Sequence, residues 1–294
     1  MTATLSPSER SYILTGLTQS PATRLDGRGL LEPRAVQVSY GAAPAANGSA
    51  RVRVGETEVV AGVVLAVGDA GAKGKIEVDI TPQAYPHASS SDLTQQSSYF
   101  ATLLNEHLLP TIPALRISDK KAFVPTLHLT LISADGGVLA TLAAAARAAL
   151  GDLAVPRTKE IGWEGAVSDE KDMAGIKGAV GGAKGKGRAR ARGADDWDLE
   201  GGGEEAPLDG RDELPVLVTL FLVPGSEVVF VDATPQEEAA CPTRLHALVR
   251  PNGRICGARL EGQDGIDAAR VRPLFEEAQR IGIDLAAALN ADLP

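Results

Sequence analysis

Three carboxylates stand close together after an apolar stretch, and they are the side chains best suited to do chemistry. Asp232, Glu237 and Glu238 follow Phe230–Val231 within a few residues. Such a cluster can bind a cation or supply a general acid. The same residues can instead end a strand, with Asp232 capping the turn and the glutamates solvated or ion-paired. The spacing leaves both interpretations open and favours the structural one.

Metal and thiol chemistry is not indicated by the remaining candidates. Histidines with no partner at a zinc-ligand spacing, either from each other or from a cysteine, stand at His87, His107, His128 and His246. The two cysteines, Cys241 and Cys256, are predicted to be free and buried. We expect no metal and no cofactor.

A run rich in glycine and lysine, between residues 175 and 193, invites comparison with a phosphate-binding loop. Lys184 and Lys186 are each followed by glycine rather than by serine or threonine, and no predicted strand precedes them. The loop that cradles nucleotide phosphates is therefore missing. The sequence also lacks the Gly-x-Ser-x-Gly turn of many serine hydrolases. These patterns argue against nucleotide triphosphate and serine-hydrolase chemistry.

The composition is that of a protein with a sizeable core and an acidic surface. The 294 residues are 44% hydrophobic, carry a net charge of −9 and include two cysteines. The acidic balance argues against a free-standing, charge-driven nucleic-acid binder. No apolar stretch reaches about 18 residues, so we expect no transmembrane helix, and the N-terminal pattern predicts no signal peptide. The cysteine content suits a reducing compartment.

The elements that must position these side chains alternate between strands and helices. A capping box at Ser6 and Glu9 predicts a helix to about Gln19. Period-two alternation predicts strands, and helical spacing predicts helices. The predicted strands are Val36–Tyr40, Ala50–Val54, Glu58–Val67, Lys75–Ile80 and Ala122–Ser133. The predicted helices are Ser90–Leu109, which precedes the last of these strands, and Val138–Leu150, which follows it.

The segment 168–213 differs in character from its flanks. Dense glycines alternate with basic residues, and an acidic stretch follows. Such a sequence cannot bury enough apolar surface to offset its ordering entropy, so we predict a disordered, low-complexity insertion. Its basic half could act as a nuclear import signal or an RNA tether. Because glycine and alanine interrupt the basic residues, a species-specific loop is the favoured interpretation.

Regular structure is predicted to resume at Leu214. Strands are expected over Leu214–Val223 and Glu227–Asp232, a hairpin around Asn252–Gly253 and a final helix from about Asp267 to Leu289. Each half of the chain is thus a group of strands closed by a helix. The predicted fold class is α+β, with one domain spanning 1–294 and a hint of duplication.

Several motifs resemble, in order, those of RNase PH-like proteins. They are the turn Arg24–Arg28, the hairpin at 47–59, the Asp135–Gly137 turn before an alanine-rich helix, and Val231–Glu238. The pattern is most similar to the non-catalytic ring subunits of the exosome, in the branch of the inactive archaeal partner. The resemblance implies a fold of duplicated β-α units with mixed sheets and flanking helices, assembled into a six-membered ring around a channel.

Active members of this family hold phosphate, supply an acid and grip RNA with arginines. By the resemblance, Val138 and Leu139 stand at the phosphate-binding positions, where aliphatic side chains cannot bind a dianion. Thr243–Arg244 stand at the acid's position, and Thr102 and Glu106 at those of the RNA-gripping arginines. The resemblance therefore implies a chain that has lost phosphorolysis, with no catalytic residue.

The resemblance also implies a role and a set of partners. The chain would be a scaffold subunit of the exosome core ring, shaping the channel for 3′→5′ RNA processing and degradation, including rRNA processing. Partners would be other RNase PH-like subunits in a hetero-hexameric ring, cap subunits, an associated hydrolytic nuclease and RNA, with no membrane. The expected localisation is the nucleus, nucleolus and cytoplasm.

Two alternative functions remain open, and one RNA-binding site is predicted. The main alternative is an active phosphate-dependent 3′→5′ exoribonuclease, and a small-molecule kinase is weaker because no Gly-Ser-Ser-type phosphate loop is present. Arg116, Lys120 and Lys121 are the basic group nearest to the presumed channel side, and they can contact RNA or form a solvated cluster. The arginines of the 24–28 turn are predicted to form ion pairs.

Overall fold

Two main β-sheets with a helix packed between them form the framework of the protein. The computed structural model describes residues 4–161, 196–200, 203–262 and 265–294. Helix α1 (Pro7–Thr18) begins at the predicted capping box, in which Ser6 and Glu9 bond to each other's backbone. Among the described residues, no helix is long and apolar enough to cross a membrane.

The first sheet is built from the N-terminal half of the chain. Its strands and the helices that flank it are β1 (Val36–Tyr40), β2 (Gly48–Val54), β3 (Thr57–Asp69), β4 (Lys75–Ile80), α2 (Ser90–His107), β5 (Leu115–Arg116), β6 (Lys121–Ser133) and α3 (Val138–Gly151). The strand order is β1-β2-β3-β6-β4, with β5 paired to β6. The β4–β6 pair is parallel and the others are antiparallel, so the sheet is mixed.

The second sheet is built from the C-terminal half. The remaining elements are β7 (Ala154–Pro156), β8 (Thr158–Ile161), β9 (Asp196–Leu199), β10 (Glu205–Pro207), β11 (Val216–Leu222), β12 (Val229–Val231), α4 (Pro235–Ala240), β13 (Arg244–Val249), β14 (Ile255–Glu261) and α5 (Ala268–Ala291). The antiparallel order is β12-β11-β13-β14. The α+β class is confirmed, and the long elements lie close to their predicted ends.

Helix α3 lies between the two sheets because its side chains are small. It contacts β2 and β3 of the first sheet and β11 of the second, and nearly all of its residues are buried. Gly48 in β2 permits this approach, since a Cβ there would stand 2.6 Å from the Cα of Leu153. The one long polar side chain, Arg147, is buried and donates to Leu214 O and to Asn290 Oδ1.

Part of the predicted disordered insertion is ordered. Strand β9 pairs with β8, and β10 pairs with β7. Trp197 packs edge-on against Phe123 with ring centroids 6.3 Å apart, and Leu208 is 2% exposed. The prediction for 168–213 is therefore wrong at these strands. It rested on the average composition of the segment, which is acidic and hides its few apolar residues. The basic run 175–193 lies outside the described residues.

The β13–β14 hairpin corrects one prediction about the thiols. The pairing register shifts after Leu248, which places Val249 opposite Ile255 and leaves Cys256 as the extra residue of a bulge. Cys256 is therefore exposed while Cys241 is buried, and both are free. The prediction of two buried thiols is wrong for Cys256, because a bulge has no signal in the alternation of the sequence.

Candidate functional site

The turn that precedes α3 is the structural centre of the candidate site. Gly136 and Gly137 both adopt positive φ, +77° and +62°, where side chains are strained. A Cβ on Gly136 would also collide with the carbonyl oxygen of Ala233. The Gly137 N–H donates to Glu238 Oε1 at 2.9 Å. A carboxylate of the chain's own second half thus accepts a hydrogen bond at the N-terminal end of α3.

Asp232 is the centre of an arginine network beside this turn. Its carboxylate accepts from Arg34 Nη2 at 2.6 Å and from Arg28 Nη1 at 2.8 Å. Arg34 also pairs with Asp135 at 3.1 Å. Burial opposes ionisation of Asp232, but the hydrogen bonds and charge of Arg34 prevail and hold its pKa below the ordinary value. Asp232 has a φ of 49°, a left-handed conformation that aspartate tolerates better than most residues.

Arg24 extends the network into the core. Its Nε and Nη2 donate to the two oxygens of Glu237 at 3.1 and 2.7 Å, and both side chains are 0% exposed. Arg24 Nη1 donates to Val231 O at 3.0 Å, and the guanidinium lies 5.4 Å from the Phe230 ring centroid. Arg24 and Arg28 form ion pairs within the fold, as predicted. Asp232 and Glu237 have structural partners, in line with the favoured interpretation of the carboxylate cluster.

The side chains at the expected phosphate-binding positions are core residues. Val138 is 6% exposed and Leu139 8%, and both belong to the larger hydrophobic core. They line a cavity of about 60 Å³ together with Tyr85, Phe100 and Glu238. Burial raises the pKa of Glu238, against the hydrogen bond from Gly137. The aliphatic side chains offer no donor to an anion.

The expected position of the acid carries a base instead. Arg244 Nε donates to Glu261 Oε2 at 2.8 Å. Two residues further on, His246 is 4% exposed and its Nδ1 lies 2.9 Å from Thr219 Oγ1. Burial, with Arg244 and Arg259 nearby, lowers the pKa of His246 to about 3, so the imidazole is neutral at physiological pH. Neither Arg244 nor Thr243 can supply a carboxylic acid.

Helix α2 offers no arginine at the positions expected to grip RNA. Thr102 Oγ1 donates to Ser98 O within its own helix at 2.8 Å. Glu106 lies 3.8 Å from Arg259 Nη1 of β14 and links α2 to the second sheet. The Thr102 side chain is therefore bonded to its own helix, and the Glu106 side chain carries negative charge.

Arg116, Lys120 and Lys121 lie together at the corner where β5 turns into β6. Arg116 pairs with Ala122, and Ile117 N donates to Lys121 O at 3.0 Å. Lys121 Nζ forms an ion pair with Asp69 Oδ1 at 2.8 Å. The structure thus brings the three predicted residues to one corner and pairs Lys121 with Asp69, a contact that sequence spacing could not reveal.

Over the described ranges, no group of three or more His, Cys, Asp or Glu side chains could hold a metal ion.

Two features of the site were not predicted from the sequence: Arg34, and the contact between Glu238 and Gly137. The contact joins residues far apart in the chain, and Arg34 belongs to no recognisable local motif.

Comparisons with known proteins agree with this geometry. Residues 32–156 match the model of the 3′ exoribonuclease family, domain 1, RNase PH. The chain is 26% identical to the exosome complex component rrp42 of Schizosaccharomyces pombe, over 98% of this chain and 94% of that protein. It is 32% identical to the exosome complex component Rrp42 of Thermoplasma acidophilum, over 54% of this chain and 64% of that protein.

A solved structure shares the fold. The chain superposes on one of the Archaeoglobus fulgidus exosome with RNA bound to the active site, with a TM-score of 0.68 and 22% identity over 98% of both chains. The fold is therefore RNase PH-like, as predicted. Relatives that the chain matches over most of their length are named as Rrp42 exosome components.

Proposed function

We propose that this chain is a non-catalytic subunit of an exosome core ring that shapes the RNA channel. One observation carries the non-catalytic part: the phosphate-binding positions hold the buried side chains of Val138 and Leu139. Arg244 at the position of the acid supports the same conclusion, because a guanidinium cannot replace a carboxylic acid that assists the leaving group. The likeness to Rrp42 exosome components supports the ring.

The test is phosphorolysis by the isolated chain and by the ring. The purified chain, given RNA and inorganic phosphate, should release no nucleoside diphosphate. A ring assembled with an RNase PH-like partner should release the same amount whether this chain is wild type or carries Arg244→Ala. Release by the chain alone, or a drop caused by the substitution, would favour the active exoribonuclease.

We propose that Arg116, Lys120 and Lys121 contact RNA phosphates in the assembled channel. Each lost phosphate contact should reduce the slope of log affinity against log salt by roughly one. The triple substitution to glutamine, measured in the assembled particle, should therefore flatten the slope. Asp69→Asn is the matched control, because it releases Lys121 from its ion pair and should strengthen binding. An unchanged slope in the triple variant would contradict the assignment.

The remaining parts of the proposal concern partners and location. We propose that cap subunits sit on one face of the ring, that an associated nuclease supplies hydrolysis, and that the particle works in the nucleus, nucleolus and cytoplasm on RNA that includes rRNA precursors. Native mass spectrometry should find a discrete particle of several different chains, and fluorescent tagging should find all three locations. A homohexamer of this chain would contradict the hetero-hexameric ring.

A further inference from the structure

Apart from the two-residue β5, the two main sheets end in four edge strands, and three of these are protected. β1 is partly buried and packs against the core of the second sheet through Val36 and Val38. β4 exposes the charged residues Lys75 and Asp79. β12 has three residues, and its Val231 N–H donates to Leu30 O at 3.0 Å. Short, charged or covered edges are the usual means of blocking unwanted strand pairing.

The fourth edge, β14, is long and has an apolar face. It has seven residues, and no strand of the described chain lies on its outer side. Cys256, Ala258 and Leu260 are exposed, Leu260 by 44%. Ala258 and Leu260 lie opposite the buried residues Ala247 and Leu245 of β13. The exposed side chains of Cys256, Ala258 and Leu260 form an apolar stripe on the face of the sheet that carries the buried side chains of β13. Helix α5 covers this face over β13 and leaves it exposed at β14.

The charge of this edge favours one kind of partner. Arg254 is exposed at its beginning, and Arg259 is 42% exposed with carboxylates no closer than 3.8 Å, at Glu106 and Glu261. These arginines stand on a chain of net charge −9. A second copy of β14 would offer these arginines only Glu261, which is 13% exposed and already pairs with Arg244. A strand of another chain that carries carboxylates would be attracted.

We propose that the open edge of β14 is the docking strand for a neighbouring subunit, which adds an extended segment of alternating apolar and acidic residues to the second sheet. The inference rests on the proposed function, which supplies the neighbour. Main-chain hydrogen bonds to β14 would give affinity, and the apolar stripe with the two arginines would fix the register.

Cys256 provides a reporter without any substitution. It is exposed, whereas Cys241 is buried, so a maleimide should label the free chain once at Cys256. In the complex with an RNase PH-like subunit co-expressed from the same genome, labelling should slow by about tenfold or more, because the thiol must wait for local opening. A complex in which Cys256 reacts at its free rate would overturn this inference alone. Failure to form any complex would count against the ring as well.

Two substitutions test the stripe and the charge separately. Leu260→Lys and Arg259→Glu should each abolish the complex, as judged by native mass spectrometry. Leu260→Lys should leave the melting temperature unchanged, whereas Arg259→Glu, which loses its contact with Glu106, should lower it slightly. The matched controls are Val67→Lys, at a valine 48% exposed on β3, and Arg272→Glu, at a side chain 88% exposed on α5. Both controls should assemble normally.

Two results would contradict the inference. A complex that forms with Leu260→Lys would overturn the inference. So would an Arg259→Glu chain that assembles normally but loses RNA binding, because the edge would then be an RNA contact. If Leu260→Lys lowers the melting temperature, the labelling rate of Cys256 in the wild-type complex decides the matter.

Discussion

Two of the contact regions between the halves of the chain differ in how their polar atoms are satisfied. Around Asp232, three arginine and three carboxylate side chains pair with each other across more than one element. Along the seam between α2 and the β13–β14 hairpin, side-chain atoms are buried without a hydrogen-bond partner in the described chain, on Gln96, His107, Thr243, His246 and Glu261.

The difference distinguishes a fully paired network from a seam with unpaired polar atoms. Breaking a buried ion pair leaves an uncompensated charge and is strongly destabilising, so the Asp232 network ties the halves together. The seam contains Arg244 and lies beside Val138 and Leu139, and its polar atoms are imperfectly matched to each other.

The largest expected effect is on the buried pair of the network. Arg24→Ala should lower the free energy of unfolding by about 3–5 kcal/mol, because Glu237 would stay buried without its partner. Chemical denaturation measures the loss. Arg272→Ala, which removes an exposed arginine, is the control and should change little. A loss for Arg24→Ala as small as that of the control would show that the network does not hold the halves together.

The next effect concerns Asp232 and its acid response. Asp232→Asn should lower the free energy of unfolding by about 2–3 kcal/mol at neutral pH, because charge-assisted bonds become neutral ones. The folded pKa is depressed, so the stabilisation is complete above the ordinary value of about 3.9 and is lost as pH falls through the folded pKa. The variant's pH profile should therefore be flatter below about pH 4. Parallel profiles would contradict the ion-pair role.

His246 should contribute to the acid response of the seam, against an opposite contribution from Glu261, whose pKa is raised by burial and whose carboxylate lies 3.5 Å from His246 Nε2. Its pKa is lowered to about 3, against about 6.5 in the unfolded chain, so the unfolded state binds one more proton between these values. The free energy of unfolding should fall by about 1.4 kcal/mol per pH unit as pH drops through this window. His246→Gln should remove that slope in denaturation measured at several pH values. If the variant kept the wild-type slope of the free energy of unfolding against pH, the proton would bind to another group.

The smallest effect is expected at the corner of β5 and β6. Lys121→Gln breaks an ion pair with a largely exposed aspartate, and such pairs contribute little because water and salt screen them. The melting temperature should not change measurably, while RNA binding by the assembled particle should weaken. A clear loss of stability would mean that Lys121 has a structural role rather than a role in the channel.

The sequence predicted the elements better than the contacts between them. Alternation and helical spacing located the long strands and α2, α3 and α5, because these patterns reflect one buried face. Short strands such as β7 and β10 have too few residues for a period, and the bulge at Cys256 has no local signal. The strands at 196–199 and 205–207 were missed because tertiary contacts of Trp197 and Leu208 override their acidic surroundings.

The candidate site was predicted in part. The resemblance identified Val138, Leu139 and Arg244 as departures from active members, and the structure adds that the first two are core residues. The ion pairs of Arg24 and Arg28 were anticipated as a class, but their acceptors were not. Arg34 and its bonds to Asp232 could not be foreseen, because nothing in local spacing relates residues so distant in the chain.

The pairing of β8 with β9 has a consequence for how this protein can vary. Ile161 lies opposite Asp196 in that ladder, so the two ends of the segment between them are held at neighbouring points. The entropy of closing a loop between two such points grows only logarithmically with its length. The intervening residues can therefore lengthen, shorten or be exchanged for a foreign module in the course of evolution, or by an engineer, with little disturbance to either sheet.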